Sequence, residues 1–118
     1  MNRKPVFVVS PSIILSEKLS TYKAGASGLL ALDWFNGVRT PLMDFNLNGL
    51  IMGMNLLTKP EEIYLSLIEA TAYGTRMIIE GFEEAGLKVE DITLSGGIPI
   101  KNEMLVQVYS DVCNRKIK

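Results

Sequence analysis

The chain has 118 residues, room for one modest domain rather than two. Its 12 Lys plus Arg against 13 Asp plus Glu give a formal net charge of −1, which offers no positive field to a nucleic acid. With no histidine and one cysteine, Cys113, the chain has no Ser-His-Asp or Cys-His nucleophile system, no HExxH zinc motif and no internal disulfide.

Hydrophobic residues make up 47% and charged residues 21%, the balance of a soluble globular chain. Asn2-Arg3-Lys4 before Val6-Phe7-Val8-Val9 imitates a short signal peptide. Pro11 and Glu17-Lys18 cut the apolar stretch, so Lys4 to Val9 reads as a buried strand. Gly49 to Leu57, the most apolar later segment, falls far below the ~20 residues of a membrane span. The expectation is a soluble, reduced, cytoplasmic protein with no membrane and no nucleic-acid partner.

Along the chain, strands and helices alternate. Ser12 to Lys23 predicts a modest helix ending at Gly25. Leu29-Leu30-Ala31-Leu32 is a continuous apolar run, suited to a strand buried on both faces. Trp34 to Asn48 reads as loop, with a turn at Asn36-Gly37. Trp34, Phe35 and Phe45 are expected in core or interface packing, and Met43, Met52 and Met54 as fillers of gaps. Gly49 to Leu57 is open between strand and short helix.

Thr58-Lys59-Pro60-Glu61 has the form of a capping box with Pro in the first turn. Ile63, Leu67, Ala70 and Met77, with Tyr64, Ile68 and Phe82 offset from them, predict a long helix packed on two sides. Gly86 stops it about seven turns on. Gly74 inside that helix suggests close backbone packing there. Asp91 to Leu94 predicts a short strand broken by Gly96-Gly97. Asn102 caps a second helix with the face Leu105, Val108, Tyr109 and Val112. Arg115 to Lys118 reads as the beginning of another element.

The Gly-Gly between a strand and a helix is the most informative local feature. Without Cβ atoms, Gly96 and Gly97 let a flat ligand or a phosphate lie against the main chain, and the helix start at Asn102 offers free N–H groups. Neither GxGxxG nor GxxxxGK[ST] accompanies it, and by itself the pair reads first as a plain strand-to-helix turn. Asp33 ends a predicted strand and reads as a turn-stabilising carboxylate. The acidic groups at Glu61-Glu62 and at Glu83, Glu84, Glu90 and Asp91 read as solvated ends of elements. Cys113, with no activating base, reads as a packing residue.

These pieces have a family likeness. Leu29-Leu30-Ala31-Leu32-Asp33-Trp34-Phe35-Asn36-Gly37 with Arg39-Thr40-Pro41 resembles a signature of ribulokinases, among the FGGY carbohydrate kinases. The likeness continues through Lys59-Pro60-Glu61-Glu62-Ile63-Tyr64 and Glu69-Ala70-Thr71-Ala72-Tyr73-Gly74-Thr75-Arg76. It closes with Gly96-Gly97-Ile98-Pro99, Lys101-Asn102 and Tyr109-Ser110-Asp111-Val112. It covers residues 25–118, with 1–24 as a divergent lead-in, and departs mildly at Val38, where the family carries Asn, and at Ser110, where it carries Ala.

The resemblance implies an α/β chain, the middle portion of an actin-like, ribonuclease-H-like C-terminal domain. It implies ATP-dependent phosphorylation of a ketopentose such as ribulose, with Mg2+, as in arabinose catabolism. Gly96, Gly97 and Asn102 then border the adenine and ribose of ATP, with Lys101 a weaker neighbour. Asp111 holds its helix, and Arg76 and Glu69 form buried or interface polar contacts. The family's catalytic Asp, sugar pocket and phosphate loops belong upstream, and a Gly-Ala-Ala helix completing the nucleotide site belongs after Lys118. The expected function is therefore one part of a sugar kinase, silent in isolation. The alternative is a non-catalytic module that forms a homo-oligomer or docks to a partner through uncovered apolar surface.

Overall fold

The computed structural model describes residues 11–97, 99 and 102–118. The expected strand Lys4–Val9, and the residues Ile98, Ile100 and Lys101, lie outside them. Among the described residues the named elements are, in chain order, α1 (Pro11–Lys18), β1 (Leu30–Leu32), β2 (Leu50–Met52), α2 (Pro60–Glu84) and α3 (Glu103–Cys113).

α1 is shorter than the expected Ser12 to Lys23. Its last turn gives way to tight turns, with the Ser20 N–H on the Glu17 carbonyl and the Tyr22 N–H on that of Leu19. Those turns carry Leu19 to full burial and set Tyr22 against the same core. Tertiary burial of these two side chains outweighs continuation of a weakly amphipathic helix.

β1 and β2 pair antiparallel with Leu30 opposite Met52, Ala31 opposite Ile51 and Leu32 opposite Leu50. Opposed residues share a face, so Ala31 turns inward, where β1 lies against α2. Leu30, Leu50 and Met52 form the outer face and are about half exposed. Among the described residues the run is covered on one side, not the expected two. Gly49 to Leu57 resolves into a three-residue strand followed by a turn.

In the expected loop, Val38 and Asp44 exchange backbone hydrogen bonds of 2.8 and 2.9 Å. Gly37 is required there: its φ is +72° and a Cβ would meet the Phe45 Cα at 2.5 Å. Phe35, Phe45, Met43, Met52 and Met54 are exposed, so among the described residues they are not core, and the interface reading of the two phenylalanines stays open.

α2 starts one residue later than the predicted box. Lys59 is the N-cap, and the Glu62 carboxylate accepts its N–H at 2.8 Å, while the Thr58 hydroxyl accepts from Asn55 N–H instead. Pro60 takes the first helical position, where no N–H partner is needed. Leu65, Ile68, Ala70 and Ala72 are buried, whereas Met77 and Phe82 near the C-terminal end are about half exposed. The two-sided packing is therefore confined to the middle of the helix. Gly74 has open space where its Cβ would stand, which corrects the expectation of close packing at that point.

The helix ends as predicted at Gly86. The Leu87 N–H reaches the Phe82 carbonyl at 2.9 Å and the Gly86 N–H that of Glu83 at 3.0 Å, a Schellman closure. α3 packs along α2. The core joins Leu19, Leu65, Ile68, Ala72, Val108 and Val112. The chain end pairs with the predicted strand: Ile92 and Ile117 bridge in parallel, with Leu94 N–H to the Lys118 carbonyl at 2.8 Å.

Candidate functional site

The segment before the glycine pair is pinned along its length. Lys118 N–H donates to the Ile92 carbonyl at 2.9 Å, and its Nζ lies 2.8 Å from the Asp91 carboxylate. The chain then turns at Gly96, whose φ of +109° favours glycine. Gly96 and Gly97 are exposed, and a Cβ on either would meet nothing within 4 Å. The main chain there borders a cleft of about 290 Å³, with Leu94, Ser95 and Pro99 alongside and Leu105 and Tyr109 of α3 opposite.

Asn102 is buried and works as the cap of α3. Its Oδ1 accepts from Leu105 N–H at 3.1 Å, and its Nδ2 donates to the Tyr64 hydroxyl at 3.3 Å. It lines a different opening, of about 590 Å³, with Glu17, Tyr22 and Met104 among its walls. The structure thus brings Gly96 and Gly97 to one cleft and turns the Asn102 side chain to another.

Asp111 is exposed and accepts from the Gln107 side chain at 2.8 Å, one turn earlier on α3. Arg76 pairs with Glu80 at 2.7 Å and reaches the Val112 carbonyl at 3.1 Å. Glu69 is buried, and its Oε1 accepts from Gly25 N–H at 2.7 Å. Burial pushes its carboxyl above the ordinary value, against the opposing pull of that N–H. Cys113 is buried with its thiol 4.0 Å from the Ala72 carbonyl. Burial raises its pKa, although Arg115 and Arg76 oppose the shift.

Sequence reasoning missed one feature at the cleft and one away from it. Tyr109 donates to the Thr71 hydroxyl at 2.9 Å, and Arg115 gathers the ends of α2 and α3. Tyr109 stood on the predicted apolar face, which hid its polar end. Nothing in the spacing ties Thr71 or Arg115 to partners 38 or 26 positions away.

No group of three or more His, Cys, Asp or Glu able to hold a metal is found among the described residues. No described helix is long and apolar enough to cross a membrane.

Residues 13–118 match the family model of the FGGY carbohydrate kinases, C-terminal domain. The chain is 55% identical over 104 residues to a ribulokinase of Anoxybacillus flavithermus, covering 88% of this chain and 18% of that protein. It is 54% identical over 105 residues to a ribulokinase of Bacillus licheniformis, covering 89% and 19%. Among solved structures it resembles Plasmodium falciparum glycerol kinase with ADP, at 24% identity and TM-score 0.79 over 94% of this chain and 22% of that one. It also resembles xylulose kinase from Rhodospirillum rubrum, at 20% identity and TM-score 0.73, over 90% and 21%. The chain spans about a fifth of the length of these relatives.

Proposed function

The chain belongs to the FGGY family of carbohydrate kinases, and from that membership we propose that it supplies the adenosine side of the ATP cleft of a ribulokinase-type sugar kinase. The observation that carries this reading is the bare main chain at Gly96 and Gly97 on the rim of the α3 cleft. At about 290 Å³ the cleft stands at the low end of the ~300–1,000 Å³ of small-molecule sites. It suits a nucleoside and leaves the phosphates and the sugar to other parts of a kinase.

Asn102 contributes by fixing the first turn of α3. Its Oδ1 holds the Leu105 N–H and its Nδ2 the Tyr64 hydroxyl, so its part is to set the helix against which the cleft is built, while its side chain faces the other opening. In the complete kinase a ketopentose hydroxyl oxygen attacks the γ-phosphorus. The bond from that phosphorus to the bridging oxygen breaks, the hydroxyl proton passes to the catalytic Asp, and ADP leaves. Mg2+, when bound, neutralises phosphate charge. The described residues contain no cluster for it, and no step is assigned to it on this chain. The setting is cytoplasmic sugar catabolism, with ATP and the ketopentose as partners.

Phosphoryl transfer rests on positioning and charge stabilisation, so the isolated chain is expected to release no ADP when given ATP and ribulose. Ribulose-dependent ADP release would overturn that. For the site, the test is Gly97→Leu. Gly97 has no positive φ and no neighbour within 4 Å of its Cβ position, so leucine leaves the fold intact while covering the shelf. Adenosine titrated into the chain should move the Gly96 and Gly97 amide signals, and the variant should bind at least about tenfold more weakly at an unchanged melting temperature. Unchanged affinity refutes the assignment.

A further inference from the structure

Three features of the α3 cleft concern what it recognises. None of the described residues lining it is charged, so its described side chains offer a phosphate no countercharge. Its far wall is Tyr109, one turn beyond Leu105. The polar end of that tyrosine is already engaged: its hydroxyl donates to Thr71 Oγ1 at 2.9 Å, and Thr71 in turn donates to the Ile68 carbonyl at 2.7 Å. A threonine hydroxyl has a single hydrogen, so with that hydrogen on Ile68 it can only accept from Tyr109. The direction of the relay is fixed.

Tyr109 is therefore held at its tip by α2 and offers the cleft an aromatic ring. A bare backbone shelf carrying N–H and C=O groups faces it. That pairing suits a flat heteroaromatic ring with hydrogen-bonding edges. We infer that Tyr109 is the surface on which the purine base packs, and that Thr71 is a positioning residue setting the tilt of that ring. This inference rests on the reading of the Gly96–Gly97 cleft as a nucleoside site, and deepens it by making the base, rather than the ribose or phosphate, the group selected.

The test uses the whole 118-residue chain, with adenosine and ribose 5-phosphate as separate probes followed by proton NMR. Adenosine should move the Tyr109 ring signals upfield together with the Gly96 and Gly97 amides, and ribose 5-phosphate should leave the ring signals in place. Tyr109→Leu should weaken adenosine binding about tenfold, within the range of base–aromatic stacking. Thr71→Val should weaken it about threefold and reduce the ring shift, and Thr71→Ser should restore both. If Tyr109→Leu does not fold, the ring shift in the unaltered chain decides by itself. Should adenosine move Gly96 and Gly97 while the Tyr109 ring stays still, the inference is overturned and the nucleoside site survives. Equal ring shifts from ribose 5-phosphate also overturn it. If neither the glycines nor the ring respond, the site reading falls and takes the inference with it.

Discussion

Glu69 sits on α2 with 1% of its surface exposed and spends its carboxylate on the Gly25 N–H 44 positions away. Its folded pKa is raised above the ordinary 4.5, chiefly by desolvation. A carboxyl with a raised folded pKa stabilises the native state fully below its unfolded value, and that contribution is lost as pH rises through the folded value. Glu69→Gln keeps an oxygen for Gly25 and removes the titration. Denaturant melts from acidic to neutral pH should therefore show the unaltered chain losing stability relative to the variant as pH rises. Parallel curves would show that the buried carboxyl has no such linkage. Sequence reasoning identified Glu69 as a buried polar contact but had no means of naming Gly25, because their contact exists only after α2 has docked. At Cys113, burial keeps the thiol protonated near neutral pH, so disulfide reagents should label it only as fast as the chain opens.

The ends of α2 show how local and distant signals divide an element between them. Gly86 was legible because a φ of +86° in a Schellman closure favours glycine wherever the helix lies. Gly86→Ala should cost about 1–2 kcal/mol in a denaturation experiment, the usual penalty of a left-handed backbone for an L-residue. The start was legible to within one residue. Both Glu61 and Glu62 follow at capping distance, and the choice fell to Glu62 once Thr58 was taken by Asn55. Arg115 works between elements. Its guanidinium donates to the Val89 and Cys113 carbonyls at 3.0 and 2.8 Å and pairs with Glu83, tying the end of α2 to the end of α3. Arg115→Met should destabilise the chain by roughly 1–3 kcal/mol, because the two carbonyls lose a charged donor. The exposed Lys88–Glu90 pair should be removable with little effect. Equal effects at the two sites would contradict this account.

Across the molecule, one face of the hairpin is finished and the other is not. Ala31 meets α2, while Leu30, Leu50 and Met52 look outward, and Leu56 and Leu57 are 105% and 86% exposed. The radius of gyration is 16.7 Å, against about 13 Å for a compact body of this length. A chain spanning a fifth of its relatives' length has few elements with which to cover a sheet whose residues are apolar on both sides. Leu56→Ser combined with Leu57→Ser should leave the melting temperature within about 2 °C, since almost no burial is lost. It should also raise the concentration at which the chain stays dispersed in light scattering. A large drop in melting temperature would mean these leucines are buried in solution.

Glycine stops, the asparagine cap, helix periodicity and the family likeness needed only the order of residues, because each reflects backbone geometry within a few positions or a pattern carried along the chain. The fold class and the Gly96–Gly97 turn followed from them. Which apolar faces find a cover, which carboxylate is buried, which tyrosine hangs from Thr71 and which opening Asn102 borders were settled by packing. These are contacts between residues tens of positions apart. No local preference encodes them, and their energies appear only when the helices have come together.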